Sequence, residues 1–239
     1  MSTGRAANPD SDGRRHRADG ARSRQAILNA ATELATVEGL DGLSIARLVE
    51  HVGMSKSGLF AHFRSKEDLQ MATIDAAAAM FEREVWQPGR AAPAGARRVL
   101  SLCEAFLSYL ERAVFPGGCF FVAAAAELDA KGGPVREHLR EVYSRILQTL
   151  ADGVREAQAL GEIDATEDVP QLTYELDSLM LGANFAYVFF RDPAALDRAR
   201  FAIRQRLARA TRVPVPRRPK ASTSVQSQRR RGRSRVGAR

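Results

Sequence analysis

The chain has 239 residues, of which 45% are hydrophobic and 27% charged, so it can bury a sizeable core in one large or two small domains. Its net charge of +8 does not indicate a basic folded domain, because residues 211–239 hold ten Lys/Arg and no acidic residue. Two cysteines are too few for a disulfide framework. The absence of a long apolar run and of a secretory signal predicts a cytoplasmic protein without a membrane span.

The N-terminal segment is the first element in chain order. Residues 1–22 are rich in Gly, Asp, Ser and Arg without apolar periodicity, which predicts a disordered basic arm. One interpretation of the basic run at residues 14–17 is an arm that follows DNA phosphates or enters the minor groove. The alternative is a solvated tail with no fixed role. A helix is then predicted over residues 24–38, with Gly39 at its C-terminal cap.

Residues 44–69 have the pattern of two short helices joined by a tight turn and followed by a third helix. Ser44 is a suitable N-cap for the first helix, and Ser55 is suitable for the second. Gly53 lies between them, where a sharp reversal favours a residue that tolerates positive φ. This arrangement predicts a helix-turn-helix, whose second helix enters the major groove of DNA.

The second helix of this unit is expected to carry the base-reading side chains. Leu59 and Phe63 lie four residues apart and are predicted to face inward. Lys56, Ser57 and His62 are the predicted base readers, and Ser44, Ser55 and Lys66 are the predicted phosphate anchors. The residues predicted to point outward from this helix are Lys56, Ser57, Gly58, Phe60, Ala61 and His62, with Phe60 and Ala61 placed for apolar contact with a thymine methyl.

The next helix is predicted to begin at Lys66. The run Ser65-Lys66-Glu67-Asp68 resembles a capping box, with Asp in the place of the usual Glu. The free N–H groups and the positive dipole end of this helix suit a phosphate, and Lys66 lies beside them. The helix is predicted to run toward Trp86 and to end at Pro88.

Together these residues resemble the DNA-binding domain of the TetR family of bacterial transcriptional regulators. That family usually has the pattern T-x-x-x-I-A-x-x-A-G-V-S-K-G-x-L-Y-x-Y-F-x-S-K-E-x-L, and about a fifth of this chain matches it. Val49 and Val52 replace small alanines, and Ser57 stands where glycine is usual. Phe60 replaces a tyrosine whose hydroxyl commonly contacts phosphate in the family.

Beyond this motif every segment has helical periodicity, which predicts an all-α protein with two domains. The predicted organisation is a disordered basic arm at 1–22, a helix-turn-helix domain at 23–70, a helical regulatory and dimerisation domain at 71–210, and a disordered basic tail at 211–239. The tail is expected to attract phosphates without sequence preference. The alternative is an expendable extension that only affects solubility.

The resemblance implies a homodimer formed through the last two long helices, which would bind a palindromic operator. The residues support this independently, because 169–190 are apolar on nearly all sides and must be buried on nearly all sides. That is more apolar surface than one neighbouring layer of the same chain would cover, and a twofold partner would bury the excess.

The resemblance also implies a repressor that releases DNA when a small effector binds the C-terminal domain. We expect this effector to be mostly apolar and uncharged. Asn184 is a polar amide in an apolar helix, and its partner is a ligand, a backbone group or the same residue of the other subunit. The candidate lining residues are Phe106, Tyr109, Phe120, Phe121, Asn184, Phe185, Tyr187 and Phe189.

Other chemistry has little support in the sequence. No nucleotide-binding, hydrolase or zinc-protease motif is present, the four histidines lack metal-ligand spacing, and no cofactor is indicated, so we predict a protein that is not an enzyme. Cys103 and Cys119 lie in apolar surroundings and are predicted to be buried thiols and not redox sensors. The alternative function is an architectural DNA-binding protein without an effector, which binds mainly through its basic tail.

Overall fold

A computed structural model describes residues 9–211, and within that range every regular element is helical. None of the helices in this range is long and apolar enough to cross a membrane. A single π-helical turn, Glu82–Trp86, connects the fourth and fifth helices. The α-helices are α1 (Pro9–Glu38), α2 (Ile45–Val52), α3 (Lys56–Phe60), α4 (Lys66–Phe81), α5 (Gln87–Arg90), α6 (Ala96–Glu111), α7 (Phe120–Leu128), α8 (Pro134–Ala159), α9 (Val169–Phe189) and α10 (Ala194–Ala210).

Helix α1 begins earlier than the sequence pattern predicts. It starts at Pro9 and not at Arg24, so the predicted disordered arm is helical from residue 9 onward. Proline suits the first turn of a helix, because its φ is already helical and its missing N–H would have no partner there. The basic run at 14–17 therefore lies within the helix. Residues 1–8 and the predicted tail from 212 onward lie outside the described residues.

Two hydrophobic cores follow one another along the molecule. The smaller core joins the end of α1 to α2, α3 and the start of α4, and it contains Ile27, Leu48, Leu59 and Phe63, none more than 1% exposed. The larger core includes α6 to α10 together with the second half of α4. The domain boundary predicted at residue 70 falls inside α4, so this helix belongs to both cores.

Pro88 does not end the α4 segment, contrary to the prediction. The chain continues through the π-helical turn and α5 as far as Arg90. Proline has no N–H to donate to the carbonyl oxygen of Glu84, four residues earlier. The Arg112 guanidinium donates to that oxygen instead, at 3.2 Å, so the carbonyl group has a partner and the helical path continues.

Polar contacts join the two cores at the loop between α1 and α2. The carboxylate of Glu127, near the end of α7, accepts the backbone N–H of Asp41 at 3.1 Å. Lys131 pairs with the Asp41 carboxylate at 2.9 Å, and Gln70 donates to the carbonyl oxygen of Leu40 at 3.0 Å. The end of α7 therefore holds the loop that leads into the helix-turn-helix.

The loop before α7 packs against α1 with no space for a side chain at Gly117. Its backbone N–H donates to the Thr36 hydroxyl at 3.2 Å, and a Cβ on Gly117 would lie 1.9 Å from the Thr36 carbonyl oxygen. We therefore expect Gly117→Ala to lower the free energy of unfolding by about 1–3 kcal/mol, because backbone atoms must move apart. Chemical denaturation measures this change. Gly132→Ala is the matched control, since an added Cβ there meets open space, and an equal loss in both variants would contradict the packing argument.

Candidate nucleic-acid interface and interior cavity

Backbone caps hold the turn between α2 and α3 in its sharp conformation. Gly53 has φ +66°, the left-handed region that favours glycine, and its N–H bonds to the carbonyl oxygen of Glu50 at 3.3 Å. The Ser44 hydroxyl accepts the N–H of Arg47 at 3.5 Å. The Ser55 hydroxyl accepts the N–H of Gly58 at 3.1 Å, so Ser55 caps α3. Both predicted N-caps are confirmed.

Helix α3 and the turn after it expose most of the residues predicted to face DNA and bury Leu59 and Phe63. Leu59 and Phe63 are buried at 0% and 1% exposure, as predicted. The α-helix ends at Phe60, earlier than expected. A turn follows, in which the His62 N–H donates to the carbonyl oxygen of Leu59, three residues earlier. Lys56, Ser57, Phe60 and Ala61 are exposed, whereas Gly58 and His62 are half-buried.

The N-terminus of α4 lies at the edge of the same surface. The Ser65 hydroxyl accepts the N–H of Asp68 at 3.0 Å, as in a capping box. The Asp68 carboxylate in return accepts the N–H of Arg64 at 2.9 Å, one residue before the cap. Lys66 donates to the carbonyl oxygen of Asp41, so its ammonium group is held against the loop between α1 and α2.

Two exposed arginines beside this surface were not among the predicted site residues. Arg64 lies in the loop that leads into α4, next to the Ser65 cap. Arg24 places its guanidinium 4.9 Å from the ring centroid of Phe63, a cation–π contact that ties α1 to the end of the α3 turn. Arg64 could have been included from the sequence, because it directly precedes the Ser65 cap. The Arg24 contact could not, because it depends on how α1 packs against Phe63.

An interior cavity of about 20 Å³ lies between α4, α6, α8 and α9, with room for about one water molecule. Of the predicted effector-lining residues, only Phe106 borders it. Asp177, which the sequence analysis did not single out, contributes a carboxylate to its wall. The other lining residues are Phe81, Trp86, Cys119, Val122, Tyr143, Ile146, Leu147, Leu150, Met180 and Leu181.

The remaining predicted lining residues lie elsewhere. Tyr109, Phe120 and Phe121 are buried in an aromatic core and do not border this cavity. Tyr187 borders an open surface cleft. Asn184 accepts the backbone N–H of Cys119 at 2.9 Å, so its oxygen has a backbone partner, one of the three alternatives considered.

Burial raises the pKa of Asp177 to about 6, against an ordinary value of 3.8, and a hydrogen bond from the Tyr143 hydroxyl at 3.3 Å partly opposes this shift. The two thiols nearby are also buried, and burial raises the pKa of Cys103 to about 12 and that of Cys119 to about 11. Both cysteines are buried free thiols, as predicted, and a raised pKa makes a thiol less reactive.

The raised pKa of Asp177 makes stability depend on pH. The folded chain holds the Asp177 proton more strongly than the unfolded chain does. The stability that this proton contributes is therefore complete below about pH 4 and is lost as pH rises toward 6. In the unsubstituted chain, we expect the free energy of unfolding to fall by about 2 kcal/mol over this interval. Asp177→Asn should not show this fall. Denaturation at pH 4 and pH 6.5 measures it, with the exposed Asp152→Asn as control. Parallel pH profiles for Asp177→Asn and the unsubstituted chain would contradict the assignment.

One face of α9 is not covered within the single chain, and the sequence analysis assigned this excess apolar surface to a twofold partner. Phe185 and Phe189 are 55% and 69% exposed, and their rings stack on each other at 5.1 Å. Tyr174 extends the same stripe toward the N-terminus of the helix, with Gly182 between them. Neighbouring helices of the same chain cover only the opposite side of α9, because α6, α8 and α10 all pack there.

Comparison with known proteins identifies both halves of the chain. The family model described as bacterial regulatory proteins of the tetR family matches residues 27–72. The model of the tetracyclin repressor-like C-terminal domain matches residues 95–203, and the two matches together span more than half of the chain.

Individual proteins agree with these matches. The HTH-type transcriptional repressor ComR of Escherichia coli is 27% identical over 180 residues, which cover 73% of this chain and 82% of ComR. The transcriptional regulator AcuR of Cereibacter sphaeroides is 26% identical over 154 residues, 63% of this chain and 69% of AcuR. A TetR transcriptional regulator from Chloroflexus aurantiacus superposes with a TM-score of 0.76 at 26% identity, covering 82% of this chain and 99% of that structure.

Proposed function

Because this chain belongs to the TetR family of bacterial transcriptional regulators, we propose that it is a repressor that binds a palindromic operator as a homodimer and releases it on binding a small effector. Members of the family are DNA-binding regulators and not enzymes. The observation that carries the proposal is the capped helix-turn-helix, whose exposed α3 side chains have no role in the cores of the chain.

The proposed DNA contacts divide into base readers and phosphate anchors. Lys56, Ser57 and His62 are the proposed base readers, because they lie on or directly after the exposed side of α3. Ser44 and Ser55 are proposed to contact phosphates at the starts of α2 and α3. Lys66 serves the same purpose beside the α4 N-terminus, where its bond to the neighbouring loop restricts its position.

Dimerisation is proposed to occur through α9 and α10. The exposed rings of Phe185, Phe189 and Phe190 form one apolar cluster, and Phe201 adds a fourth exposed ring on α10. Gly182 adds no side chain to the stripe, so a second helix can approach closely there. A twofold pair would bury these rings and set two α3 helices at about 34 Å, the spacing of successive major grooves.

We propose that effector binding in the interior cavity is coupled to DNA release through α7. Cys119, directly before α7, borders the cavity and is held by Asn184 of α9. At the other end of α7, Glu127 holds the Asp41 loop that leads into the helix-turn-helix. An effector that moves α7 would therefore shift the reading heads, and it would favour dimers that no longer fit two successive grooves.

Selection of bound sequences from random duplexes tests the DNA-binding part of this proposal. We expect the full-length chain to enrich one palindromic sequence at physiological ionic strength, because two identical reading heads contact it. The name of ComR, a transcriptional repressor, supports repression over activation. Recovery of unrelated sequences without a common motif would contradict a sequence-specific regulator.

The alternative, an architectural protein that binds through its basic tail, makes a different prediction. Deleting residues 212–239 removes ten positive charges. For a specific regulator we expect operator and random DNA to lose affinity alike, about tenfold or more, with an unchanged ratio between them. Fluorescence anisotropy titrations at two salt concentrations measure both affinities. If the full-length chain shows no preference between the duplexes and the deletion abolishes binding to both, the architectural function is favoured.

A further inference from the structure

Building on the proposed ligand-released function, we propose that the interior cavity binds a small organic cation, an amine or ammonium ion with an apolar substituent, whose charge pairs with the carboxylate of Asp177. This narrows the chemistry of the effector and replaces the expectation that it is uncharged. Two features of the cavity support it, namely an acid without a basic partner and aromatic walls.

The first feature is the missing partner of Asp177. Other acids close to this core are neutralised: Glu175, two residues earlier on α9, pairs with Arg206, and Glu104 of α6 pairs with Arg200 at 3.2 Å. Among the side chains that the structure describes, those of residues 19–211, no Lys or Arg forms an ion pair with Asp177. Its only hydrogen-bond donor there is the Tyr143 hydroxyl, which is neutral. Asp177 is half-buried, and a partly desolvated carboxylate without a counter-charge is unfavourable, so a bound cation would lower that cost.

The groups that face Asp177 cannot supply the missing charge. They are the Tyr143 hydroxyl of α8, the Cys103 thiol of α6 and the Cys119 thiol before α7, each of which interacts with the Asp177 charge. Phenols and thiols ionise only to anions, and burial raises the pKa of all three groups, so they are neutral near pH 7 and none supplies a positive charge. The positive charge must therefore come from outside these elements.

The second feature is the aromatic wall. The rings of Phe81, Trp86, Phe106 and Tyr143 all border the cavity. Aromatic faces attract cations, most strongly when water is excluded, and rings around one carboxylate form a recognised arrangement for ammonium groups. An anion would be repelled by Asp177 in this position. A neutral apolar molecule would bury the carboxylate further without compensation.

The cavity wall also carries a hydrogen-bond donor, the indole N–H of Trp86. This residue is 4% exposed, lines the cavity and has no hydrogen-bond acceptor among the described residues. A buried donor without a partner is uncommon in folded proteins and indicates a bound water or ligand. An ammonium group has no lone pair to accept this N–H, so the Trp86 donor does not itself select a cation and needs a separate acceptor.

The size of the cavity restricts the cation to a compact head group. Its volume of about 20 Å³ admits a group of roughly water size without rearrangement. Ile146 and Leu147 of α8 and Leu181 of α9 are only half-buried at the cavity wall, so the gap between these helices lies toward the surface. A flexible methionine, Met180, also lines it and can move aside. We place the ammonium head in the cavity and the apolar substituent between α8 and α9.

Calorimetric titration of the full-length chain at pH 7.5 tests this proposal. The probes are methylammonium, isobutylammonium and benzylammonium, each compared with the alcohol of the same carbon skeleton, together with isobutyrate and benzoate. We expect at least one ammonium ion to bind tenfold or more tightly than its alcohol, and neither anion to bind. Asp177→Asn, which keeps an acceptor for Tyr143, is expected to abolish this preference. Asp152→Asn, on the exposed side of α8, should retain it.

Operator release by the same probes separates this proposal from the proposed function. If an ammonium ion binds through Asp177 but leaves operator affinity unchanged, the cation site stands and ligand-released repression fails. If an alcohol or anion releases the operator equally from the unsubstituted chain and from Asp177→Asn, repression stands and the cation proposal is overturned. If no ammonium ion binds more tightly than its alcohol, the cavity is a water site and the proposal is likewise overturned.

Discussion

A chain carrying Phe185→Glu and Phe189→Glu is expected to be monomeric and to bind its operator about 100-fold to 10,000-fold more weakly than the unsubstituted dimer. Both rings are exposed on α9, where the single chain provides no cover. Four carboxylates brought together across a twofold interface would have to be desolvated next to like charges. In a dimer, binding of one reading head holds the second head close to the other half-site. A monomer lacks this effect, so its affinity for the operator is lower.

Sedimentation and operator titration at the same protein concentration measure the two effects. Leu160→Glu is the matched control, because Leu160 is an apolar residue 55% exposed after α8, near the opposite end of α9. That variant should remain dimeric and bind operator normally. Folding of the double variant is checked by its helical circular dichroism, since both side chains lie outside the buried cores. A double variant that stays dimeric would show that the subunits associate through another surface.

Replacing Lys56 or His62 with alanine is expected to lower the ratio of operator to random-DNA affinity by about 5-fold to 150-fold, the equivalent of about 1–3 kcal/mol for each lost base contact. Lys56 is exposed at the start of α3, and His62 lies in the turn that follows it. Neither residue is buried in the core around Leu59 and Phe63, although the half-buried His62 ring lies 6.5 Å from the Phe63 ring, so the fold should survive both changes.

Lys66→Ala provides the contrasting case. A phosphate contact carries no sequence information, so its loss should weaken operator and random DNA alike and make binding less dependent on salt. Arg155→Ala, on the surface of α8, should change neither affinity. Anisotropy titrations on both duplexes give the ratios. An unchanged ratio in Lys56→Ala and His62→Ala would mean that base recognition lies elsewhere on the surface.

The helix-turn-helix was predictable because its signals are local. Ser44, Ser55 and Ser65 each accept an N–H from a residue three positions later, so cap and partner are adjacent in the sequence. Gly53 likewise adopts the positive φ that its turn needs. The inward positions of Leu59 and Phe63 follow from their spacing alone.

Predictions that depended on distant partners were less successful. The continuation of the helix past Pro88 requires Arg112, 24 residues away, to bond the carbonyl group that proline leaves without a donor. An apolar pattern places a residue on one face of its helix but does not say what covers that face. Phe185 and Phe189 were therefore predicted to line a pocket, and both lie on the surface.

The sequence by itself determined the all-helical fold, the DNA-reading unit and the family, because caps, turn glycines and helical spacing act between residues a few positions apart. Only the tertiary structure decided which side chains meet in the interior. It placed Asp177 of α9 opposite Tyr143 of α8 and Trp86, and it joined Glu127 to the Asp41 loop. These contacts span tens of residues, and packing between helices selects them, so no local pattern in the chain records them.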